Sequence, residues 1–302
     1  MLNHGSMELQ QLRYVVAVAE TKSFTRAAER CLVVQSALSH QIARLERELG
    51  GRLFDRTSRR VRLTAAGEAF LPAARQCLAA AERAVIDAAA ALGEVRGRLA
   101  LGVIPTVAAV DVPAALTRFH TRYPHVRIHL RQGHSLDLVE QVKHGDLDIA
   151  FLGLPATVEP RGVRAWELTR DRHVAVVAPD HPLAGETEVA LRSLAAEVFV
   201  DFPADSAGRA QSDLAFEAAG IDREVALEVG AVDIMVRLVQ QGLGVAMLPS
   251  RFVPRLTGVA TIPVSDAPQR VEYVIWSRSD PRPAATAFLD LLDVPVDVAA
   301  GT

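Results

Sequence analysis

Ser23-Phe24-Thr25-Arg26-Ala27-Ala28-Glu29, followed beyond Val33-Val34 by Gln35-Ser36-Ala37-Leu38-Ser39-His40, is the stretch on which the fold of this chain turns. Ser23 is an N-cap residue ahead of a short helix predicted to bury Phe24, Ala27, Ala28 and Leu32. The small pair Ala27-Ala28 permits a close helix crossing. From Gln35 to Leu49 the residues Leu38, Ile42, Leu45 and Leu49 share one face, with Ser39, His40, Arg44 and Arg47 on the others, so a third helix follows. Gly50-Gly51 stops it where a left-handed residue is least costly. Upstream, Leu9, Leu12, Val15, Val16 and Ala19 define the apolar face of a first helix; downstream, Leu53-Phe54 and Val61-Arg62-Leu63 predict two short strands around a basic tip. Together these make an N-terminal all-α winged helix-turn-helix domain whose third helix is free to enter a major groove about 12 Å wide.

Charge separates this end from the rest. The whole chain of 302 residues carries only −3. Between Met7 and Ala66, however, eleven basic residues face six acidic ones, so that segment carries +5 and the remainder −8. Four arginines, Arg56, Arg59, Arg60 and Arg62, crowd the tip of the predicted wing, a density suited to phosphate neutralisation with counterion release. For any one of them alone, a solvated basic loop is the better reading.

Thr64 is a plausible cap for a long alanine-rich helix on which Phe70, Ala74, Cys77, Ala81, Val85, Ala88 and Leu92 recur every three or four residues. Either a partner helix or burial within one monomer explains that stripe. Pro72 near its start is expected to bend it. From Arg98 onward, strand-length apolar runs (Leu99 to Ile104, Val126 to Leu130, Leu147 to Leu152, Val174 to Ala178, Val198 to Asp201, Val225 to Val229, Gly244 to Leu248) alternate with helical segments, the mark of an α/β chain with mostly parallel sheets. There are more strands than one compact lobe needs.

The set Phe24, Ala27-Ala28, Gln35-Ser36-Ala37-Leu38-Ser39, Leu45-Glu46, Leu49-Gly50, Leu53-Phe54, Arg56, Leu63-Thr64 and Ala66-Gly67 resembles the signature of LysR-type transcriptional regulators. The resemblance implies a DNA-binding domain over 7–66, a linker helix over 67–97 that pairs with its equivalent in a second subunit, and an effector-binding domain over 98–302 built as two lobes similar to periplasmic binding proteins. Lobe 1 is expected over about 98–168 and 268–302 and lobe 2 over about 169–267, with crossings near Leu168 to His173 and Thr261 to Val271. It further implies a homo-oligomer, dimer or tetramer, that binds promoter DNA under the control of a small-molecule effector, with anionic or carboxylate chemistry among the candidates.

Within that frame, Gln35, Ser36, Ser39 and His40 are expected to face base edges, Ser23 or Thr25 to hold phosphates, and Arg56, Arg59 and Arg60 to add phosphate or minor-groove contacts. Ligands of open α/β sheets collect at strand carboxyl ends beside helix N-termini. Four junctions qualify: Pro105-Thr106, Gly133-His134-Ser135, Asp201-Phe202-Pro203 and Gly230-Ala231-Val232. By resemblance Thr106 and Ser135 place hydroxyls on an effector and Phe202 walls the cleft; simple helix capping by Thr106 and Ser135 is the competing reading. Gly153 departs from relatives that put a basic side chain there, which weakens an aromatic carboxylate as the effector.

Other chemistries lack their residues. No run of eighteen apolar residues and no signal sequence occurs, so a cytoplasmic protein without a membrane partner is expected, and Met1 to Ser6, ahead of a second methionine Met7, carries no pattern and reads as an expression scar or an alternative start, outside the fold. Cys31 and Cys77 form no metal spacing; family members that sense peroxide use a cysteine pair in the effector domain, which this chain lacks from Arg98 onward. Asp146 and Asp148 fit turn and strand caps better than a metal site, and His125 and His129 lie in a strand pattern. Gly242-Leu243-Gly244 ends a helix ahead of a buried strand and is no phosphate loop. With no GxSxG elbow or Cys/His pair, neither an enzyme nor a cofactor is expected. A solute-binding module with a dimerisation appendage is the alternative, distinguished by ligand binding without salt-dependent DNA binding.

Overall fold

The computed structural model describes residues 7–56, 61–91 and 94–296. The chain divides into two units, Met1–Leu92 and Gly93–Thr302. Arg59 and Arg60, expected on the wing, and Met1 to Ser6 lie outside the described residues.

The first unit runs α1 (Leu9–Thr21), α2 (Phe24–Arg30), α3 (Gln35–Leu49), β1 (Phe54–Arg56), β2 (Val61–Leu63) and α4 (Ala65–Ala91). Ser23 caps α2 by accepting the Arg26 amide at 3.3 Å, and Gly50 closes α3 at φ 72°. One core gathers Val15 and Val18 of α1, Ala27 and Ala28 of α2, Leu38, Ile42 and Leu45 of α3, and Leu53 and Phe54 at the wing. Phe24 meets Phe54 edge-on at 5.8 Å. β1 and β2 pair antiparallel, Phe54 opposite Leu63. Thr64 accepts the Gly67 amide at 3.0 Å, capping α4, which runs on through Pro72.

Three expectations about this core need correction. Leu32, expected to be buried, is 92% exposed, because it takes the left-handed turn conformation (φ 56°) that ends α2. Leu49 is exposed in the last turn of α3, just before its Gly50 cap, and Leu9 is exposed at the start of α1, whose buried face is centred instead on Gln11, Leu12, Tyr14, Val15 and Val18. Along α4, Ala74 is buried while Cys77, Val85 and Ala88 face outward within this chain.

The second unit begins with β3 (Gly97–Val103), α5 (Val112–Arg122), β4 (Val126–Gln132), α6 (Ser135–Lys143), β5 (Ile149–Pro155) and β6 (Arg164–Val177). It continues with β7 (Val198–Asp201), α7 (Ala207–Ala218), β8 (Glu224–Glu228), α8 (Val232–Gln240), β9 (Ala246–Pro249), β10 (Ala260–Pro263), β11 (Gln269–Trp276) and α9 (Pro283–Leu291). β4, β3 and β5 are parallel neighbours. β11 then inserts antiparallel between β5 and β6, and β6 runs on to pair antiparallel with β9 and β10. The sheets are therefore mixed rather than mostly parallel, because the chain leaves the first lobe along β6 and must return against it. The return is not one strand: β10 and β11 are separated by a turn at 264–268.

The first lobe packs β3, β5 and β11 against α5, α6 and α9 through Leu101, Phe119, Leu138, Phe151, Trp276 and Phe288. In the second lobe β6 alternates strictly: Ala175 and Val177 enter one core with Phe199 and Phe216, while Val176 enters another with Val200, Met235 and Leu248. Carrying β6 from one lobe to the other puts the residues of its middle, Asp171 and His173, at the floor between them.

Candidate nucleic-acid interface and effector cleft

The third helix divides as its sequence requires. Leu38, Ile42 and Leu45 are fully buried against α1 and α2, and Gln35, Ser36 and His40 are exposed, with Ser39 half-buried. Gln35 Nε2 donates to Ser39 Oγ at 2.8 Å, one turn apart, so two of the expected base-reading groups are already oriented together. Thr25 is exposed on α2, whereas the Ser23 hydroxyl is committed to its cap. Arg56 ends β1. Glu46 accepts the amides of Leu53 and Phe54 at 2.8 and 3.2 Å and so ties the third helix to the wing, a contact that sequence spacing did not announce.

In the second unit, Thr106, Ser135 and Phe202 line one cavity of about 30 Å³, room for roughly one water. The starts of α6 (His134, Ser135) and α7 (Ser206, Ala207, Gly208) face it from the two lobes. Val232, expected at the cleft, does not line it; it belongs to the apolar face of α8 with Met235, Val236 and Val239 in a second-lobe core. Neither hydroxyl caps a helix by its side chain. Asp111 caps α5 and His134 holds the N-cap position of α6. Ser135 instead donates to the Gly153 carbonyl at 3.1 Å and accepts the Gly153 amide at 3.3 Å, which fixes β5 against α6. The Thr106 hydroxyl accepts Nη1 of Arg270 at 2.8 Å, leaving its own proton uncommitted.

Arg270 is the feature sequence reasoning missed. Almost fully buried, it donates to the Thr106 carbonyl at 3.0 Å, pairs with Glu272, and lies 3.6 Å from Asp171. Glu272 is in turn held by the amides of Ala108 and Ala109. Burial, reinforced by the neighbouring Glu272 carboxylate, raises the Asp171 pKa against the pull of Arg270. Burial and the adjacent guanidinium lower the His173 pKa to about 3, so its ring is neutral. Four buried atoms around this floor have no hydrogen-bond partner: Arg270 Nε, Asp171 Oδ1, His173 Nδ1 and Gln211 Oε1. Arg270, His173 and Gln211 all line the cavity. The signal was present in β11, where Arg270 and Glu272 interrupt a buried strand at period two, on one face.

No group of three or more metal-ligating side chains occurs among the described residues, and none of the described helices is long and apolar enough to cross a membrane.

Comparison with known proteins agrees with this construction. Residues 9–68 match the family profile described as bacterial regulatory helix-turn-helix protein, lysR family, and residues 92–294 match the LysR substrate binding domain. Over 290 residues the chain is 33% identical to the HTH-type transcriptional regulator BudR of Raoultella terrigena, covering 94% of this chain and 100% of that one. It is 32% identical over 290 residues to the transcriptional dual regulator GltC of Bacillus subtilis, covering 95% and 96%. Among solved structures, full-length CbnR complexed with its target DNA superposes with a TM-score of 0.67 at 26% identity, covering 95% and 99%. A full-length variant of OxyR from Pseudomonas aeruginosa also gives 0.67 at 26% identity, covering 97% of each chain. The chain belongs to the LysR family of transcriptional regulators. It is a regulator with a helix-turn-helix DNA-binding domain and an effector-binding domain, not an enzyme.

Proposed function

We propose that this regulator reads its operator with Gln35, Ser36, Ser39 and His40, holds phosphate near Thr25 and the cap at Ser23, and adds wing contacts from Arg56, Arg59 and Arg60. The observation that carries this is the division of α3, three apolar residues sealed inside and Gln35, Ser36 and His40 turned outward at its first turns. DNA binding under a soluble effector places its work in the cytoplasm. The domain division is 7–66, 67–97 and 98–302, with α4 of two subunits paired through its outward stripe to give a dimer or tetramer; the solved CbnR complex with DNA supports the docking mode.

The effector occupies the cavity between the lobes, with Thr106, Ser135 and Phe202 around it and Gln211, His173 and Arg270 completing its wall. Because Arg270 already faces two carboxylates, an anionic effector enters by displacing Glu272 from the guanidinium or by bringing a proton onto Asp171. A larger ligand requires the lobes to part, and only its differential affinity for the two arrangements shifts the regulator.

Gel-shift titration against the DNA upstream of its own gene, at fixed salt, tests the DNA reading. Gln35→Ala with Ser39→Ala is expected to abolish the specific complex while leaving salt-dependent non-specific binding. Unchanged specific affinity refutes it.

A further inference from the structure

Two adjacent valines precede the third helix, and the side chain of only one has a structural task. Val33 is half-buried and packs on the core of the first unit, with Leu38 of the helix's second turn buried in the same core. That is a hydrophobic staple across the helix start. Val34 is 68% exposed and occupies the N-cap position in extended conformation (φ −73°, ψ 141°), where it makes no side-chain cap hydrogen bond. Serine, threonine, aspartate or asparagine is strongly preferred there because each can bond the exposed amides of the first turn. Valine forfeits that bond and leaves its methyl groups in water. Its backbone position is nevertheless fixed, since its carbonyl accepts the amides of Ala37 and Leu38 at 3.1 and 3.3 Å. Two residues earlier Leu32, also apolar, is left-handed at φ 56° and 92% exposed. A segment that breaks two local rules on its outer edge, beside Gln35 and Ser36, is where a binding function replaces a folding one.

We propose that Val34 is a specificity residue, reading the 5-methyl group of a thymine in the major groove. This rests on the assignment of α3 as the reading helix. The groove edge of DNA offers hydrogen-bonding groups at every base pair but one apolar group, the thymine methyl, and apolar side chains select it. A rigid, branched side chain at the mouth of the helix loses little entropy on making that contact.

The test uses the full chain to select duplexes from a random pool, then replaces each thymine of the selected site by deoxyuridine, which removes the methyl group alone. At one position the wild type is expected to lose about fourfold in affinity, the fold-change equivalent of about 0.8 kcal/mol for one buried methyl-sized group. Val34→Ser restores a cap and keeps the fold, so its melting temperature is not lowered. Its affinity is expected to be indifferent to the same exchange and to match the wild type on the uracil duplex within twofold. A uracil penalty of equal size in Val34→Ser, or no sensitive thymine in the wild type, overturns the proposal. Recovery of no preferred sequence at all overturns the DNA-reading assignment beneath it, a distinct and recognisable failure.

Discussion

Gly153 on β5 and Arg270 on β11 share one space: a Cβ built on Gly153 lies 3.2 Å from both Cζ and Nε of Arg270 and 2.8 Å from Cδ1 of Ile104. The position that lacks a cation of its own is thus filled by a guanidinium from the neighbouring strand, where Glu272 stands directly opposite Gly153. The missing side chain admits Arg270 to the cleft floor. Gly153→Ala is therefore expected to push against two buried side chains and to destabilise the second unit by about 1 to 3 kcal/mol, the usual cost of overpacking. Urea unfolding of the full chain measures this, and an unchanged midpoint removes the idea that the two residues compete for space.

Arg270 is bracketed by Asp171 and Glu272, all three nearly inaccessible to water. Removing the cation alone leaves two carboxylates facing one another, so Arg270→Met is expected to cost about 3 to 5 kcal/mol. Neutralising Glu272 as well relieves the repulsion while a glutamine carbonyl still receives the amides of Ala108 and Ala109. The double variant Arg270→Met/Glu272→Gln should then be more stable than Arg270→Met. Chemical denaturation of Arg270→Met, Glu272→Gln and the double variant decides it, and additive losses would show that the charges do not interact.

These groups explain what could be read from the chain and what could not. The helix-turn-helix is legible because its instructions are local: a serine cap, a small pair for the crossing, an apolar face every three or four residues and a glycine stop. Its errors were local too. Leu32 was placed inside by periodicity, but the chain turns left-handed there and the period ends. The α/β alternation of the second unit was equally visible, though strand direction was not, since it depends on β11 returning between β5 and β6. The cleft floor was out of reach: Arg270 meets Thr106 across 164 residues of sequence, and nothing near either residue names the other. Thr106, Ser135 and Phe202, which line one cavity, are legible because each sits at a strand-to-helix junction. Gln211 and His173 were missed because one lies inside a helix and the other inside a strand.

His173 supplies a pH signature. Its pKa of about 3 in the folded chain stands against an ordinary value of 6.5, so the unfolded chain binds the extra proton between those limits. Stability from this residue is fully present above pH 6.5 and is lost as pH falls toward 3, at about 1.4 kcal/mol per pH unit. The raised pKa of Asp171 acts in the opposite sense just above pH 3.8 and softens the lower end of that range. Urea titrations between pH 6.5 and 4.5 should show His173→Gln with a slope shallower by about one proton. Parallel slopes for variant and wild type would mean that the imidazole is protonated in the folded protein.

Glu46 offers the sharpest separation of affinity from specificity in the first unit. Its carboxylate receives two amides at the start of the wing, Leu53 and Phe54, and so fixes the hairpin to the helix that carries Gln35 and Ser39. Hydrogen bonds to a charged acceptor contribute about 1.5 to 3 kcal/mol each, and an amide left without its acceptor adds to the loss. Glu46→Ala is expected to destabilise the first unit by about 3 to 6 kcal/mol and to loosen the wing while the exposed face of α3 keeps its residues. With the wing holding phosphates as proposed above, loosening it weakens all DNA sequences together, because phosphates carry no sequence information. Competition between operator and unrelated duplex at constant salt should therefore show both affinities lowered by a similar factor, with the ratio between them preserved. A selective loss of operator binding would place Glu46 in control of the reading helix itself.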